Sequence, residues 1–232
     1  MHHLLDIFGI PFKELLDPQF YIRHGGLWMI VFIVFAETGL FAGFFLPGDA
    51  LLFVTGIFSD KIVSTALIET NNQWADLGLL WIIITLAGIA GNYVGYWFGR
   101  KSGPFLYERK DTFFFKKRHL LQAHDFYERN GGIAIVAARF VPFVRTFAPI
   151  VAGIVQMDRK KFTYYNIIGC MLWVGSMLIA GHFLWKWILH QFQFDLKAHL
   201  EVIVVGIVLV TTLPVLWKLF LARNKKIPDK EA

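Results

Sequence analysis

Residues 133–155 read Ile-Ala-Ile-Val-Ala-Ala-Arg139-Phe-Val-Pro142-Phe-Val-Arg145-Thr-Phe-Ala-Pro149-Ile-Val-Ala-Gly153-Ile-Val. The run is apolar enough for a bilayer, yet Arg139, Arg145 and Pro142 stand where a lipid-facing helix tolerates them least. A charge at the centre of a span costs on the order of 2.5–3.5 kcal/mol, and proline removes a helical hydrogen bond. Interrupted backbone at membrane depth is stable only inside protein or beside a wet cavity. The arms 133–141 and 145–155 reach about 14 and 16 Å as helix, each roughly to the midplane. The stretch therefore predicts a re-entrant helical hairpin with Arg139-Phe-Val-Pro-Phe-Val-Arg145 at its tip. In an unbroken helix the two arginines would lie about 240° apart; the break at Pro142 is expected to turn both to one side.

Charge distribution supports this threading. Residues 99–132 carry Arg100, Lys101, Arg109, Lys110, Lys116, Lys117, Arg118 and Arg129, the loop 156–161 carries Arg159, Lys160 and Lys161, and the tail carries Arg223, Lys225, Lys226 and Lys230. Residues 59–76 hold only Lys61, and 190–199 only Lys197. Basic loops face the cytoplasm, and all three basic regions do so together only if 133–155 enters and leaves on one side.

A second broken stretch, 27–58, carries Glu37 and Asp49 around Pro47-Gly48 and predicts a hairpin from the opposite side. A full span with a short re-entrant arm fits its unequal arms almost as well. Uninterrupted spans are expected at 77–99, 162–185 and 200–222, each beyond the ~20 residues a bilayer requires. The expected organisation is an amphipathic interfacial segment (1–26), one membrane domain (27–222, with 100–132 basic and interfacial) and a basic cytoplasmic tail (223–232). Composition agrees: 56% of the 232 residues are apolar and 17% charged, against about 25% charged in soluble domains. That argues against a soluble enzyme and excludes disorder. The formal net charge of +6 reads as topology rather than nucleic-acid binding.

The halves repeat. Phe45-Leu-Pro47 with Thr55-Gly56-Ile57 parallels Phe140-Val-Pro142 with Ala152-Gly153-Ile154. An odd number of spans separates them, so the repeats are inverted, as in transporters whose sites lie at the midplane between broken helices. The fold class predicted is an all-α polytopic membrane protein of two inverted repeats, each a re-entrant hairpin plus a transmembrane helix, with a C-terminal transmembrane helix.

Four charges carry the candidate site: Glu37 and Asp49 in one hairpin, Arg139 and Arg145 in the other. If the tips meet, the charges cancel. One reading is a polar cavity for an anionic head group, the arginines offering planar forks to phosphate and the acids holding them at rest or carrying a proton. The other is a structural ion-pair network. Pro47, Gly48, Pro142 and Pro149 are expected to shape the hairpin tips. Asn92 is expected either to line the cavity or to bond across helices, and Tyr96 to line the cavity.

Gly91, Gly95 and Gly99 form a small-residue stripe for close helix packing. His182 reads as hydrogen-bonded structure, and Trp173, Trp185 and Trp187 as packing and interface residues. One cysteine, Cys170, excludes an internal disulfide framework. No phosphate loop, metal-ligand spacing or nucleophilic triad is present, so no cofactor, metal or enzymatic chemistry is expected.

These pieces resemble the DedA family of bacterial membrane proteins, related to the VTT-domain lipid scramblases of eukaryotes within the SNARE-associated-Golgi-like superfamily. The resemblance covers roughly residues 30–180. It rests on Gly131-Gly132 through Gly153, on Glu37 through Pro47-Gly48-Asp49, and on Gly91-Asn92-Tyr93-Val-Gly-Tyr96-Trp-Phe-Gly99-Arg100-Lys-Ser-Gly103. Many members carry Asp at the position of Asn92. The resemblance implies a multi-pass protein of the bacterial inner membrane, C-terminus cytoplasmic, that moves lipids between leaflets. It points to undecaprenyl phosphate or phospholipid as the lipid partner, with ties to proton-motive force and alkaline tolerance. The family's essential acids fall on Glu37 and Asp49 and its essential arginines on Arg139 and Arg145. A lipid translocase for undecaprenyl phosphate is thus the first expectation. A proton-coupled cation antiporter and a phospholipid scramblase are the alternatives, with lipids and protons as partners, no nucleic acid, and a homo-oligomer allowed.

Overall fold

The computed structural model describes residues 26–39, 48–67, 70–108, 127 and 132–192, and among them all regular structure is helical. The elements are α1 (Gly26–Gly39), α2 (Gly48–Ile57), α3 (Ser59–Ala66), α4 (Gln73–Glu108), α5 (Ile133–Ala138), α6 (Pro142–Ile154) and α7 (Arg159–Phe192). The expected N-terminal segment up to residue 25, Pro47, most of the basic segment, the span 200–222 and the tail lie outside the described residues.

Two helices are long and apolar enough to cross a membrane, α4 and α7. With 36 and 34 residues they run about 54 and 51 Å, further than the apolar stretches 77–99 and 162–185. The reason is capping. The Asn72 side chain accepts from the Trp74 amide at 3.0 Å, and Asp158 accepts from the Lys161 amide at 3.0 Å. Each helix is thus begun before its apolar run starts. Large side chains such as Ile82, Leu86, Phe98, Leu172, Ile179 and Phe183 are exposed on these two helices, as a lipid-facing surface requires.

The other apolar helices are short. α1 and α2 have 14 and 10 residues, α5 and α6 have 6 and 13, so none reaches the ~30 Å of a hydrocarbon core. The break in the stretch 133–155 falls earlier than expected. α5 ends at Ala138 with Arg139 as its C-cap, Val141 is extended (φ −113°, ψ 107°), and Pro142 opens α6. A proline drives its predecessor out of helical conformation and is itself well placed in a first helical turn. Pro149 is not at the tip. It is buried in the middle of α6, where it cannot donate to the Arg145 carbonyl.

Glycines let the short helices close on the long ones. A Cβ on Gly99 of α4 would stand 2.0 Å from the Ile150 carbonyl oxygen of α6, and one on Gly153 of α6 2.1 Å from that of Tyr96. The same device joins α2 to α7: a Cβ on Gly56 or Gly181 would meet the backbone oxygen of Leu178 or Phe53 at 2.3 and 2.0 Å. Gly91 likewise admits α1, at Phe35 and Gly39, so the stripe read from the sequence serves close packing. Between α6 and α7 the chain reverses through Gln156, at φ +58°; its side-chain amide donates to the Arg100 carbonyl at 2.9 Å, anchoring the turn to α4.

Candidate functional site

The charged residues converge in the core. Glu37 sits in the last turn of α1, and Asp49 lies in the first turn of α2, where a helix favours negative charge. Arg145, in the first turn of α6, donates through Nη2 to Glu37 Oε1 and through Nη1 to Asp49 Oδ1. Glu37 is 2% and Asp49 8% exposed. Trp173 of α7 completes the group. Its indole N–H donates to Asp49 Oδ1 at 2.9 Å, and its ring faces the Arg145 guanidinium at 5.0 Å.

Arg139 takes a different partner. It is 4% exposed and donates through Nη2 to the side-chain oxygen of Asn166 at 2.7 Å. That oxygen also accepts from Asn92 Nδ2 at 2.9 Å, and Asn92 donates to the Gly88 carbonyl at 2.8 Å. Cys170 borders the cluster, 3.5 Å from Asn92 Nδ2. Among the described residues Arg139 has no ion pair. Of the four charges expected to meet, three do: Arg145 engages both acids, whereas Arg139, among the described residues, bonds the neutral amide of Asn166. The cause is helix phase. Arg139 caps α5 and faces α7, whereas Arg145 projects from the newly begun α6 toward α1 and α2. The break therefore sends the two side chains to different neighbours rather than to one side.

Gly48 shapes the site directly. A Cβ there would lie 1.4 Å from Glu37 Oε2, so the absent side chain is the space that the carboxylate occupies. Among the described residues Glu37 Oε2 has no hydrogen-bond partner, nor do Arg139 Nε, Arg145 Nε and Asn92 Oδ1, all buried.

Asn92 bonds across helices, one of the two roles expected for it. Tyr96 lies apart from the charges. It accepts from Arg100 at 2.7 Å, donates to the Met157 carbonyl and stacks on Phe162 at 4.2 Å between ring centres, tying the α6–α7 turn to α4. A ring nitrogen of His182 lies 3.0 Å from Lys186 Nζ. Sequence reasoning missed Asn166 and the bonding role of Trp173. An amide inside the apolar run 162–185 was a usable signal for Asn166; Trp173 had none beyond its type.

A helical membrane protein in which broken helices bring buried charges together is the class these features define. The family model described as the VTT domain matches residues 46–183, a range that includes Asp49, Arg139 and Arg145 and leaves Glu37 just outside. Protein DedA of Escherichia coli K12 is 38% identical over 196 residues, covering 83% of each chain. An uncharacterized membrane protein of Mycobacterium leprae is 33% identical, covering 87% of this chain and 85% of the relative. Inner membrane protein YqjA of Escherichia coli K12 is 28% identical, covering 89% and 90%. The chain belongs to the DedA family of membrane proteins. No solved structure matches it.

Proposed function

We propose that this protein carries a phosphate-headed lipid, undecaprenyl phosphate, between the leaflets of the inner membrane, with the head group passing between the broken helices and the tail remaining in lipid. The observation that carries the reading is the unequal state of the two buried guanidiniums: Arg145 is held by two carboxylates, and Arg139 by an amide oxygen. A buried cation without a counterion is a strong attractor for an anion, and a phosphate leaving water must keep its oxygens paired. In this scheme Arg139 receives the phosphate first. Arg145 then exchanges its carboxylates for phosphate oxygens, and Glu37, whose Oε2 is open, takes up a proton that offsets the arriving charge.

The proposed topology has two re-entrant hairpins, α1–α2 and α5–α6, in inverted repeats. Their short helices fit that arrangement. So does a matched contact: Gly56 of α2 packs on α7 and Gly153 of α6 on α4, so each hairpin's second helix docks on the other half's long helix. Basic loops and the C-terminus face the cytoplasm in this topology.

The open Glu37 oxygen beside Asp49 also favours a second reading, a proton-coupled cation antiporter. Liposomes holding only this protein separate the two. Accelerated crossing of a labelled polyprenyl phosphate, altered by an imposed proton gradient, is expected. Equal acceleration of ordinary phospholipids would mark a scramblase, and cation–proton exchange without lipid movement an antiporter. No acceleration of any phosphate-headed lipid would refute the proposal.

A further inference from the structure

The charged cluster has one member that neither hairpin supplies. Trp173 is 1% exposed and comes from α7, yet it touches both halves of an ion pair: its N–H is bonded to Asp49, and its ring lies against Arg145. Asp49 Oδ1 therefore accepts from two donors, one charged and one neutral. The two respond differently if the arginine turns away. Without the indole, an Asp49 that loses Arg145 would be a buried carboxylate stripped of both these donors, which low-dielectric surroundings penalise heavily. With it, Asp49 retains one hydrogen bond and a fixed orientation. The aromatic face gives the departing guanidinium a surface to slide on, since cation–π attraction is tolerant of lateral displacement in a way that a forked hydrogen bond is not.

α7 also addresses the other arginine. Asn166, which holds Arg139, is seven residues before Trp173, about two turns or 10 Å along one helix face. Gly169 between them clears the way, because a Cβ there would stand 3.0 Å from Arg139 Cδ and Nε. One stripe of α7 thus contacts both arginines, each at its own level.

We infer that Trp173 is a positioning residue that keeps Asp49 hydrogen-bonded while Arg145 changes partner, so that the Arg145–Glu37–Asp49 latch opens to a phosphate monoester at low cost. The inference rests on the lipid reading above and makes Trp173 part of its binding step. Removing only the N–H makes Asp49 depend on Arg145 alone, which tightens the latch against the ligand. A hydrogen bond to a charged group shifts such an equilibrium by about tenfold or more, and apparent affinity falls with the open fraction.

The test is binding of farnesyl phosphate to the full chain in detergent, with farnesol as the control lacking phosphate. Two variants remove the N–H: Trp173→Phe, and position 173 carrying 3-benzothienylalanine, which keeps the indole's shape with sulfur in place of N–H. The second answers the question even where the phenylalanine variant fails to fold. The expected result is a dissociation constant raised about tenfold in both, and no further rise when Trp173→Phe is added to Asp49→Asn, where no charge needs the donor. Wild-type affinity in both variants would overturn the role of Trp173 while leaving the lipid reading standing. An undiminished effect of Trp173→Phe in the Asp49→Asn background would assign it to packing, overturning the role equally. Failure of the unaltered protein to bind farnesyl phosphate in preference to farnesol would remove the lipid reading and this inference with it.

Discussion

Gly48→Ala probes the site through one methyl group. The added Cβ would fall 1.4 Å from Glu37 Oε2, 2.5 Å from its Cδ and 3.0 Å from Oε1. Ordinary contact is about 3.5 Å, so the carboxylate must retreat about 2 Å. That exceeds the tolerance of a hydrogen bond, and the Glu37–Arg145 contact breaks. Asp49 still holds the other arm of Arg145, so the loss is that of one charged hydrogen bond, about 1.5–3 kcal/mol, rather than of a whole buried pair. Against a typical stability of about 5–15 kcal/mol the variant still folds, with a lowered melting temperature. Because the latch is weaker, the lipid concentration for half-maximal transport should stay level or fall. The maximal rate should drop about tenfold or more, since the acid proposed to carry the proton is displaced. Gly153→Ala is the contrast. Its Cβ would strike Tyr96 O at 2.1 Å and Arg100 N at 2.7 Å, backbone atoms that no rotamer change can move, so folded protein itself should be lost. Melting curves and liposome flipping of a polyprenyl phosphate, run on both, decide the matter. Wild-type maximal transport by Gly48→Ala, or normal folding of Gly153→Ala, would refute the reasoning.

Arg139→Lys and Arg145→Lys should each fold but lose most phosphate-lipid transport, on the order of tenfold or more, because lysine is a point charge without the planar fork; wild-type flipping by both would remove the phosphate clamp. With Cys170 first replaced by alanine, single cysteines at Lys101 and Lys160 should be shielded from an impermeant thiol reagent added outside, while one at Lys61 reacts; labelling of Lys160 but not Lys61 would reverse the proposed topology. The Asp158 carboxyl lies below the usual carboxylate range because the backbone N–H of Lys161 donates to it. A depressed value stabilises the fold above the unfolded-state pKa, about 3.9, and the benefit disappears as pH falls through the folded value. The melting-temperature gap between wild type and Asp158→Ala should therefore be constant from pH 7 to about 5 and close below about 4; an equal gap at pH 3 would exclude the carboxylate as its source.

The broken helices were legible because their cost is local. Pro142 and the charges of Glu37, Asp49, Arg139 and Arg145 are penalised in hydrocarbon wherever they face it, so their presence in apolar runs already implied interior, interrupted backbone. The glycine stripe of α4 was legible for a similar reason: a residue without a side chain, repeated on one helix face, serves close approach. Helix ends were less so, since Asn72 and Asp158 extend α4 and α7 past the apolar stretches that hydropathy marks. Pairing was not legible at all. It depends on where the second helix of the hairpin begins, and one residue of phase moves a side chain by about 100°. Starting α6 at Pro142 aims Arg145 at the acids and leaves Arg139, three residues earlier, to α7.

That difference in aim changes what the four charges can do. Two closed pairs would form a lock in which each arginine is satisfied and an incoming anion has to break an ion pair before gaining any contact. With both acids on Arg145, the other buried guanidinium is held, among the described residues, by an amide oxygen alone, and on the proposed reading an anion gains its first contact there without breaking an ion pair. In the proposed cycle the second arginine then becomes available through a rearrangement in which Asp49 keeps its bond to Trp173 and Glu37 takes up a proton. A purely structural network gains nothing from leaving a buried cation without a counterion, since closing both pairs would be the more stable arrangement. The uneven pairing is therefore better accounted for by an anion that comes and goes than by the need to hold two hairpins together.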